Sequence, residues 1–159
     1  MVLIAIAAFV VLAAFSASKQ TTPLTYDAQS LALQFGNDAV DRLNTLYYEY
    51  ASRQLSDQQI KFLLSQNLFE TGLFTDVANY PLMAKNNYAG LTNPGGGYAS
   101  YASVSDFTDA YLQFLSKGAD PLDASSLTDF NNRLIQNHYY TENPTTYYNG
   151  LLMYYNLLS

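Results

Sequence analysis

Residues 56–72 read Ser-Asp-Gln-Gln-Ile-Lys-Phe-Leu-Leu-Ser-Gln-Asn-Leu-Phe-Glu-Thr-Gly, which predicts one helix with both of its ends marked. Ser56 and Gln59 have the spacing of a capping box, in which each side chain binds the backbone N–H of the other residue. Apolar side chains then recur at helical spacing, at Ile60, Leu63, Leu64 and Leu68. Gly72 predicts the end of the helix, because glycine readily adopts the left-handed conformation that follows a last turn. Glu70 is therefore expected at the C-terminal end.

The rest of the chain has the same helical periodicity, interrupted by a stretch of turn-forming residues. Residues 75–101 are rich in Pro, Gly and Asn, which break helices and form turns. The predicted fold class is therefore mainly α, with a small loop or β-hairpin lobe in the middle of one domain. Further helices are predicted over residues 24–35, 38–50, 105–117, 126–136 and 145–158.

The N-terminal segment differs in composition from the rest, because residues 2–15 contain no polar side chain. We predict a hydrophobic helix in residues 1–18, a linker at 19–23 and a folded domain over 24–159. As a membrane anchor acting through residues 2–17, this helix is about 25 Å long and falls short of the ~30 Å hydrocarbon core. As a secretory signal it lacks a basic n-region. A buried core helix is the third interpretation.

The composition excludes several classes of function. The net charge is −6 and only seven residues are Lys or Arg, so the sequence offers no clustered basic face for nucleic acid. There is no Cys and one His, which excludes thiol nucleophiles, disulfides and zinc–thiolate sites. We expect neither a metal nor a cofactor. Fifteen Tyr suit sugars, since a flat ring with a hydroxyl matches their apolar faces and hydroxyl groups, although filling of core and rim is the plainer interpretation.

Glu70 is the carboxyl whose neighbours favour chemistry. It stands between Phe69 and Thr71-Gly72, at the end of the predicted helix. The negative end of the helix dipole and the flanking apolar groups both disfavour a carboxylate, so we expect a raised pKa. A carboxyl that stays protonated near neutrality can act as the general acid for a glycosidic oxygen. A plain helix end is the alternative that these residues alone leave open.

Four blocks of sequence, in order, point to one family. The first is Gln-Asn-Leu-Phe-Glu-Thr-Gly at residues 66–72, and the second is Asn-Asn-Tyr-Ala-Gly at 86–90. The third is the Tyr-rich run at 98–104, which leads into a predicted helix. The fourth is Tyr-Thr-Glu-Asn-Pro at 140–144, followed by Tyr147. Together they resemble bacterial glucosaminidases, the family of autolysins and flagellar peptidoglycan hydrolases, with the last block in a degenerate form.

The resemblance implies a lysozyme-like helical fold with a cleft beside Glu70. It implies a glycoside hydrolase that cleaves the β-1,4 bond after N-acetylglucosamine in peptidoglycan glycan strands, with Glu70 protonating the leaving oxygen. It also implies that Tyr140 lies near the reacting sugar and orients it or steadies developing charge. The substrate-binding residues that it implies are Asn87, Tyr88, Gly90, Tyr98, Tyr101 and Tyr147.

The chain departs from the family in its second carboxylate. In the family this acid, where identified, comes from the lobe between the Asn pair and the Tyr-rich run, but residues 86–105 contain no Asp or Glu. Three explanations stay open. The substrate's own 2-acetamido oxygen attacks the anomeric carbon with Tyr140 steadying the intermediate, Asp76 or Asp106 activates a water, or the domain binds glycan without cutting it.

Two alternatives to the hydrolase remain. The first is a non-catalytic glycan-binding or structural module of a virion or cell envelope, in contact with other proteins of that assembly. The second is a lytic transglycosylase, which works with a single acid and leaves 1,6-anhydro ends. For the hydrolase and for both alternatives, the apolar N-terminal segment predicts a chain that is exported or membrane-anchored and faces the cell wall, or that is associated with a virion membrane.

Overall fold

The computed structural model of the protein describes residues 28–75 and 81–159. The predicted N-terminal helix, the linker and the first residues of the domain lie outside this part of the chain, and so does Asp76. Among the described helices, none combines the length and the hydropathy that are needed to cross a membrane.

The described part of the chain is mainly α-helical, which confirms the predicted class. The structure has no β-strand within residues 28–75 and 81–159, and Thr92 and Tyr98 form an isolated antiparallel bridge. Within the described residues, every helix bound agrees with the sequence prediction to within two residues. The helices are α1 (Ala28–Phe35), α2 (Asn37–Ser52), α3 (Asp57–Glu70), α4 (Val104–Leu115), α5 (Leu127–Gln136) and α6 (Pro144–Leu157), with 3₁₀ turns at Met83–Lys85 and Pro121–Asp123.

Helix α3 begins and ends where the capping signals predict. The Ser56 hydroxyl accepts a hydrogen bond from the Gln59 N–H at 3.3 Å, and the Gln59 side chain accepts one from the Ser56 N–H at 2.8 Å. At the other end, Gly72 has a φ of 55°, and the N–H groups of Gly72 and Leu73 bind carbonyls of the last turn. An N-cap contributes about 1 kcal/mol. These two ends make Glu70 the last residue of the helix.

Helix α3 is also the centre of the core. Eight of its residues are buried, in a nearly continuous run from Ile60 to Leu68, so its neighbours cover it on all sides. Helices α2 and α6 pack against it. The ring of Phe62 stacks on those of Phe130 and Tyr155, with centroid distances of 5.2 and 5.8 Å. Each aromatic pair contributes about 0.5–1.5 kcal/mol beyond its buried area, so the helix that ends at Glu70 is firmly held.

Helices α3 and α6 approach each other closely at Gly150. A Cβ atom on this residue would lie 2.2 Å from the Phe69 ring, so a larger residue fits only if that ring moves. The close approach brings the first turn of α6 against the last turn of α3. Phe69 meets the ring of Tyr147 edge to face, with centroids 5.0 Å apart, and Tyr147 lies beside Glu70.

The described part of the predicted lobe, residues 81–101, is a hairpin-like loop without a regular sheet. Its two arms meet at the antiparallel bridge, and the Ala99 N–H donates to the Leu91 carbonyl at 2.8 Å. Asn87 joins the arms from the inside. Its amide nitrogen donates to the carbonyls of Leu91 and Ala99, and its oxygen accepts from the Leu91 N–H. Because Asn87 is fully buried, these bonds hold the lobe in one shape.

A second buried amide joins the lobe to α3. Asn67 accepts a hydrogen bond from the Tyr50 hydroxyl at 2.6 Å and donates one to the Tyr88 carbonyl at 3.0 Å. Since Asn67 is fully buried, loss of either contact would leave a polar group without a partner and cost about 1–3 kcal/mol. Asn67 lies one turn before Glu70, so this amide sets the position of the lobe relative to the Glu70 carboxyl.

Candidate active site

A cleft of about 620 Å³ opens between the lobe and the start of α6, with Glu70 in its wall. Its volume is within the range that binds small molecules. Charged side chains of both signs, Glu142 and Lys117, line it. Its aromatic lining comes from five parts of the chain and consists of Phe69, Tyr101, Phe114, Tyr139, Tyr140 and Tyr147.

A second depression, of about 430 Å³, lies on the other side of Glu70 and is lined by Thr71, Thr75 and Tyr98, among others. Glu70 and Gly90 line both cavities. Because they share these two residues, the two cavities adjoin at the carboxyl, and together they are called the groove. Glu70 therefore lies where its two parts meet.

Gly90 faces the Glu70 carboxyl across the groove. A Cβ atom on Gly90 would lie 3.5 Å from Oε2 of Glu70, so a side chain here would fill the space in front of that oxygen. The φ of Gly90 is 63°, a left-handed conformation that glycine adopts at little cost. Both observations explain why glycine occupies this position and why Oε2 is open to the groove.

The turn that follows Glu70 is held by Thr71. The Thr71 hydroxyl donates to the Asn67 carbonyl at 2.6 Å and accepts from the Phe74 N–H at 3.0 Å. The three residues after Thr71 have φ values of 55°, 65° and 60°. For the two that are not glycine, a left-handed conformation costs roughly 1–2 kcal/mol each. The strain of this turn therefore falls on Leu73 and Phe74, which directly follow the Glu-Thr-Gly sequence.

Burial is the main influence on the acidity of Glu70. It raises the pKa of the Glu70 carboxyl from its ordinary value of 4.5 to about 7, because a charged carboxylate is poorly solvated there. The hydrogen bond from Tyr147 acts in the opposite direction, and the negative charge of Glu142 adds a smaller rise. The carboxyl therefore keeps a large protonated fraction near neutral pH.

A chain of hydrogen bonds reaches Glu70 from the core. Tyr111 of α4 donates to Oε1 of Gln66 at 2.5 Å, and Nε2 of Gln66 donates to the Tyr147 hydroxyl at 3.1 Å. The Tyr147 hydroxyl in turn donates to Oε1 of Glu70. Because Oε1 is occupied as an acceptor, the proton of the neutral acid belongs on Oε2. That is the oxygen that faces Gly90 and the groove.

The Tyr147 hydroxyl keeps its proton near neutral pH and therefore remains a donor. Burial raises the pKa of its phenol well above the usual 10, and the nearby charge of Glu70 raises it further. The ring of Tyr140 lies flat on the ring of Tyr147, with centroids 3.6 Å apart and planes 8° from parallel. The Tyr140 hydroxyl donates to Oδ1 of Asn131 at 3.0 Å, so its proton is directed to α5 and away from Glu70.

The structure brings most of the predicted site residues together, while two of them lie behind the wall of the groove. Asn87 and Tyr88 are buried and line neither cavity. The Asn87 amide holds the lobe, and the Tyr88 ring packs on Phe107 with centroids 5.3 Å apart. They support the wall, in place of the sugar contact expected from the sequence. The residues that do line the groove are Glu70, Gly90, Tyr98, Tyr101, Tyr140 and Tyr147.

Of the two candidates for a second acid, Asp106 is the one that the structure describes, and it lies away from the groove. Asp106 lies in the first turn of α4, where its carboxylate accepts a hydrogen bond from the Ser103 hydroxyl at 2.7 Å. It lines neither cavity, because its role as part of a helix cap keeps it at the start of α4. Asp76 lies outside the described residues.

Sequence reasoning missed several residues of the site. Gln66 is one of them, and a polar side chain one helical turn before Glu70 was a usable signal, since buried polar groups need partners. Glu142 is one of the chain's three Glu, but nothing in the local sequence indicates that it lines the same cleft as Glu70. Lys117 and Phe114 reach the cleft from the end of α4, which no sequence pattern predicts.

Comparisons with known proteins leave the site to be interpreted from its own geometry. No protein-family model, curated protein or solved structure matches this chain. Among residues 28–75 and 81–159, no three His, Asp or Glu side chains lie together where they could hold a metal ion. What the site offers chemically is a proton donor with a pKa near neutrality, set among aromatic rings in an open groove.

Proposed function

We propose that this chain is a peptidoglycan hydrolase of the glucosaminidase type, with a lysozyme-like helical domain and Glu70 as its general acid. Its substrate is the glycan strand, and the bond cut is the β-1,4 bond after N-acetylglucosamine. The observation that carries the proposal is the Glu70 carboxyl, which has a pKa of about 7 and stands where the two parts of the groove meet.

The protonation of Glu70 supports acid catalysis. An alkoxide is a poor leaving group, so the glycosidic oxygen must receive a proton as its bond to the anomeric carbon breaks. A carboxyl with an ordinary pKa of about 4 is almost fully ionised at pH 7 and has no proton to give. The burial of Glu70 and the bond from Tyr147 to Oε1 together favour a proton on Oε2, the oxygen open to the groove.

The shape of the groove supports a polymeric substrate. Depressions on both sides of Glu70 leave room for sugars before and after the bond to be cut. Tyr101 and Tyr140 line one side, and Tyr98 lines the other. Aromatic rings pack on the apolar faces of sugar rings, while hydroxyl and backbone groups bind the sugar hydroxyls. An internal bond of a glycan strand therefore fits this site.

The reaction consumes one water for each bond cut. Glu70 gives its proton to the glycosidic oxygen, the bond from that oxygen to the anomeric carbon breaks, and the leaving strand departs as an alcohol. A water adds to the anomeric carbon and gives up one proton. In the substrate-assisted version, the 2-acetamido oxygen first closes a ring on the anomeric carbon, and water then opens it. Solvent returns a proton to Glu70.

The domain acts outside the cytoplasm. Residues 2–17 act as a membrane anchor or an export signal, which their apolar composition supports. The domain then works on the cell wall from the membrane side, in a cell envelope or on a virion membrane, where other proteins of that assembly are its neighbours.

Digestion of purified peptidoglycan by the full chain, followed by mass spectrometry of the released fragments, tests this proposal. We expect fragments whose reducing end is N-acetylglucosamine. Fragments that end in 1,6-anhydromuramic acid would show that the chain is a lytic transglycosylase and not a hydrolase. Binding to peptidoglycan without release of any fragment would show that the chain is a non-catalytic glycan-binding module. A Glu70→Gln chain digested in parallel shows whether any fragments come from a contaminating enzyme.

A further inference from the structure

The cleft holds a second carboxyl group that the proposed reaction has not yet used. Glu142 lines the same 620 Å³ cleft as Glu70. It is exposed to solvent, whereas Glu70 is half-buried. We infer that Glu142 is the general base of the site, which deprotonates the water that attacks the anomeric carbon. This inference rests on the proposed hydrolase activity and names the group that the sequence left unassigned.

The fold fixes Glu142 relative to Glu70 through helix α6. Glu142 directly precedes Asn143, the N-cap of α6, whose side chain accepts hydrogen bonds from two N–H groups of the first turn. One turn later, Tyr147 binds Oε1 of Glu70. On the other side of Glu142, the Tyr140 ring stacks on Tyr147. The chain is therefore held on both sides of Glu142, by the same helix that supports the acid.

The electrostatics of the cleft are consistent with this pairing. The negative charge of Glu142 reaches both Glu70 and Tyr140, and in each case it adds to the effect of burial by raising the pKa. One half-buried carboxyl with a raised pKa and a second, solvent-exposed carboxyl in a single cleft provide the two groups that glycoside hydrolysis uses.

The chemistry balances with these two groups alone. Glu70 gives a proton to the glycosidic oxygen while a water attacks the anomeric carbon from the opposite face of the sugar. That water gives one proton to the Glu142 carboxylate as its oxygen binds the carbon. Glu142 ends protonated and Glu70 ends ionised, and exchange with solvent resets both. Attack from the opposite face inverts the anomeric carbon, so the new reducing end forms first as the α-anomer.

Glu142 is the best placed of the described alternatives. Asp106 is part of the cap of α4 and lines neither cavity. Attack by the substrate's own acetamido oxygen needs no protein base. That route predicts a different product, because two successive displacements retain the configuration of the anomeric carbon. The two routes are therefore separated by the anomer that forms first, independently of any mutation.

The test uses soluble glycan fragments of peptidoglycan, with proton NMR to identify the first anomer released by the parent chain. We expect the α-anomer to form first. Glu142→Gln should lower kcat by at least about 100-fold. Asp123→Asn is the control and should change kcat little, because Asp123 is an exposed carboxylate outside the cleft. In Glu142→Ala, added azide is expected to restore cleavage and to give an α-glycosyl azide, because azide attacks without losing a proton.

The results separate this inference from the proposal on which it rests. If the parent chain releases no fragment, the hydrolase proposal fails and the role of Glu142 fails with it. If the parent releases N-acetylglucosamine ends as the β-anomer first, the hydrolase stands and Glu142 is not its base. A Glu142→Gln chain that cleaves as fast as the parent leads to the same conclusion.

Discussion

The phenolic hydroxyl of Tyr147 donates a hydrogen bond to Oε1 of Glu70, and this contact joins the first turn of α6 to the last turn of α3. Gln66 donates to the same hydroxyl, so the direction of the bond from Tyr147 to Glu70 is fixed. The acid is thereby held in one orientation with Oε2 towards Gly90. The proposed chemistry depends on this orientation of the Glu70 carboxyl.

Removing the Tyr147 hydroxyl should lower the activity and shift its pH–rate profile to higher pH. Tyr147→Phe keeps the ring but removes the hydrogen bond that lowers the pKa of Glu70, so that pKa rises further. We expect the alkaline limb of the pH–rate profile to move to higher pH, while kcat falls roughly tenfold or more because the acid is less well oriented. The profile of kcat against pH on peptidoglycan measures both effects.

The neighbouring tyrosine is a matched control. The Tyr148 hydroxyl accepts a hydrogen bond from Thr128 at 3.2 Å on the other side of α6, away from the cleft. Tyr148→Phe should leave the pH profile unchanged. An equal shift in both variants, or no shift in Tyr147→Phe, would show that the Tyr147 hydroxyl does not set the acidity of Glu70.

The raised pKa of Glu70 should also make the protein less stable at high pH. The folded state holds the proton up to about pH 7 and the unfolded state releases it near 4.5, so the free energy of unfolding falls as the pH rises between these values. At 1.36 kcal/mol per pKa unit, the loss is at most about 3 kcal/mol. Glu70→Gln cannot ionise and escapes this loss.

Chemical denaturation at pH 4.5 and pH 8 measures this difference. We expect Glu70→Gln to be more stable than the parent at pH 8, by an amount that shrinks towards pH 4.5. A variant that is less stable than the parent at pH 8 would indicate that the carboxylate is favourably paired in the folded state, which contradicts the raised pKa.

A methyl group at Gly90 should block the acid. Gly90→Ala sets a methyl 3.5 Å from Oε2 of Glu70, in the space that a glycosidic oxygen needs. We expect at least a tenfold loss of kcat/KM and, because φ is 63°, a stability loss of about 1 kcal/mol. Gly96→Ala is the control, since its φ is 90° and nothing lies within 4 Å of the new methyl. If both variants lose activity equally, backbone strain and not crowding is the cause.

The ring of Tyr140 should matter more than its hydroxyl. That hydroxyl donates to Asn131, while the ring stacks on Tyr147 and lines the cleft. We expect Tyr140→Phe to retain most of the activity and Tyr140→Ala to raise KM and lower kcat, because the stacked surface is lost. Steady-state kinetics on soluble glycan fragments separate the two variants. A Tyr140→Phe chain as inactive as Tyr140→Ala would assign a direct role to the hydroxyl.

Much of the fold could be predicted from local signals. Ser56 with Gln59, and Gly72 after Glu70, define the ends of α3 through backbone hydrogen bonds between residues close in sequence. Such caps depend little on the rest of the protein. For the same reason, the position of the candidate acid at a helix end was predictable, and the structure has it there.

The parts of the site that depend on tertiary packing were not predictable. Asn87 and Tyr88 were expected at the sugar, but both are buried inside the lobe, because an amide can satisfy backbone groups there and a ring can fill the core. Glu142 reaches the cleft because α6 crosses α3 at Gly150, where no side chain keeps the helices apart. That crossing depends on contacts about 80 residues apart, and periodicity does not report them.

The most direct measurement compares muropeptide release by Glu70→Gln, by Glu49→Gln and by the parent chain. Glu49 lies in α2, where it pairs with Arg53 and lines neither cavity, so it controls for the loss of one carboxylate. We expect Glu70→Gln to bind peptidoglycan as the parent does and to release no fragment above background, while Glu49→Gln releases fragments at nearly the parental rate. Release by Glu70→Gln at the parental rate would contradict the assignment of Glu70 as the acid.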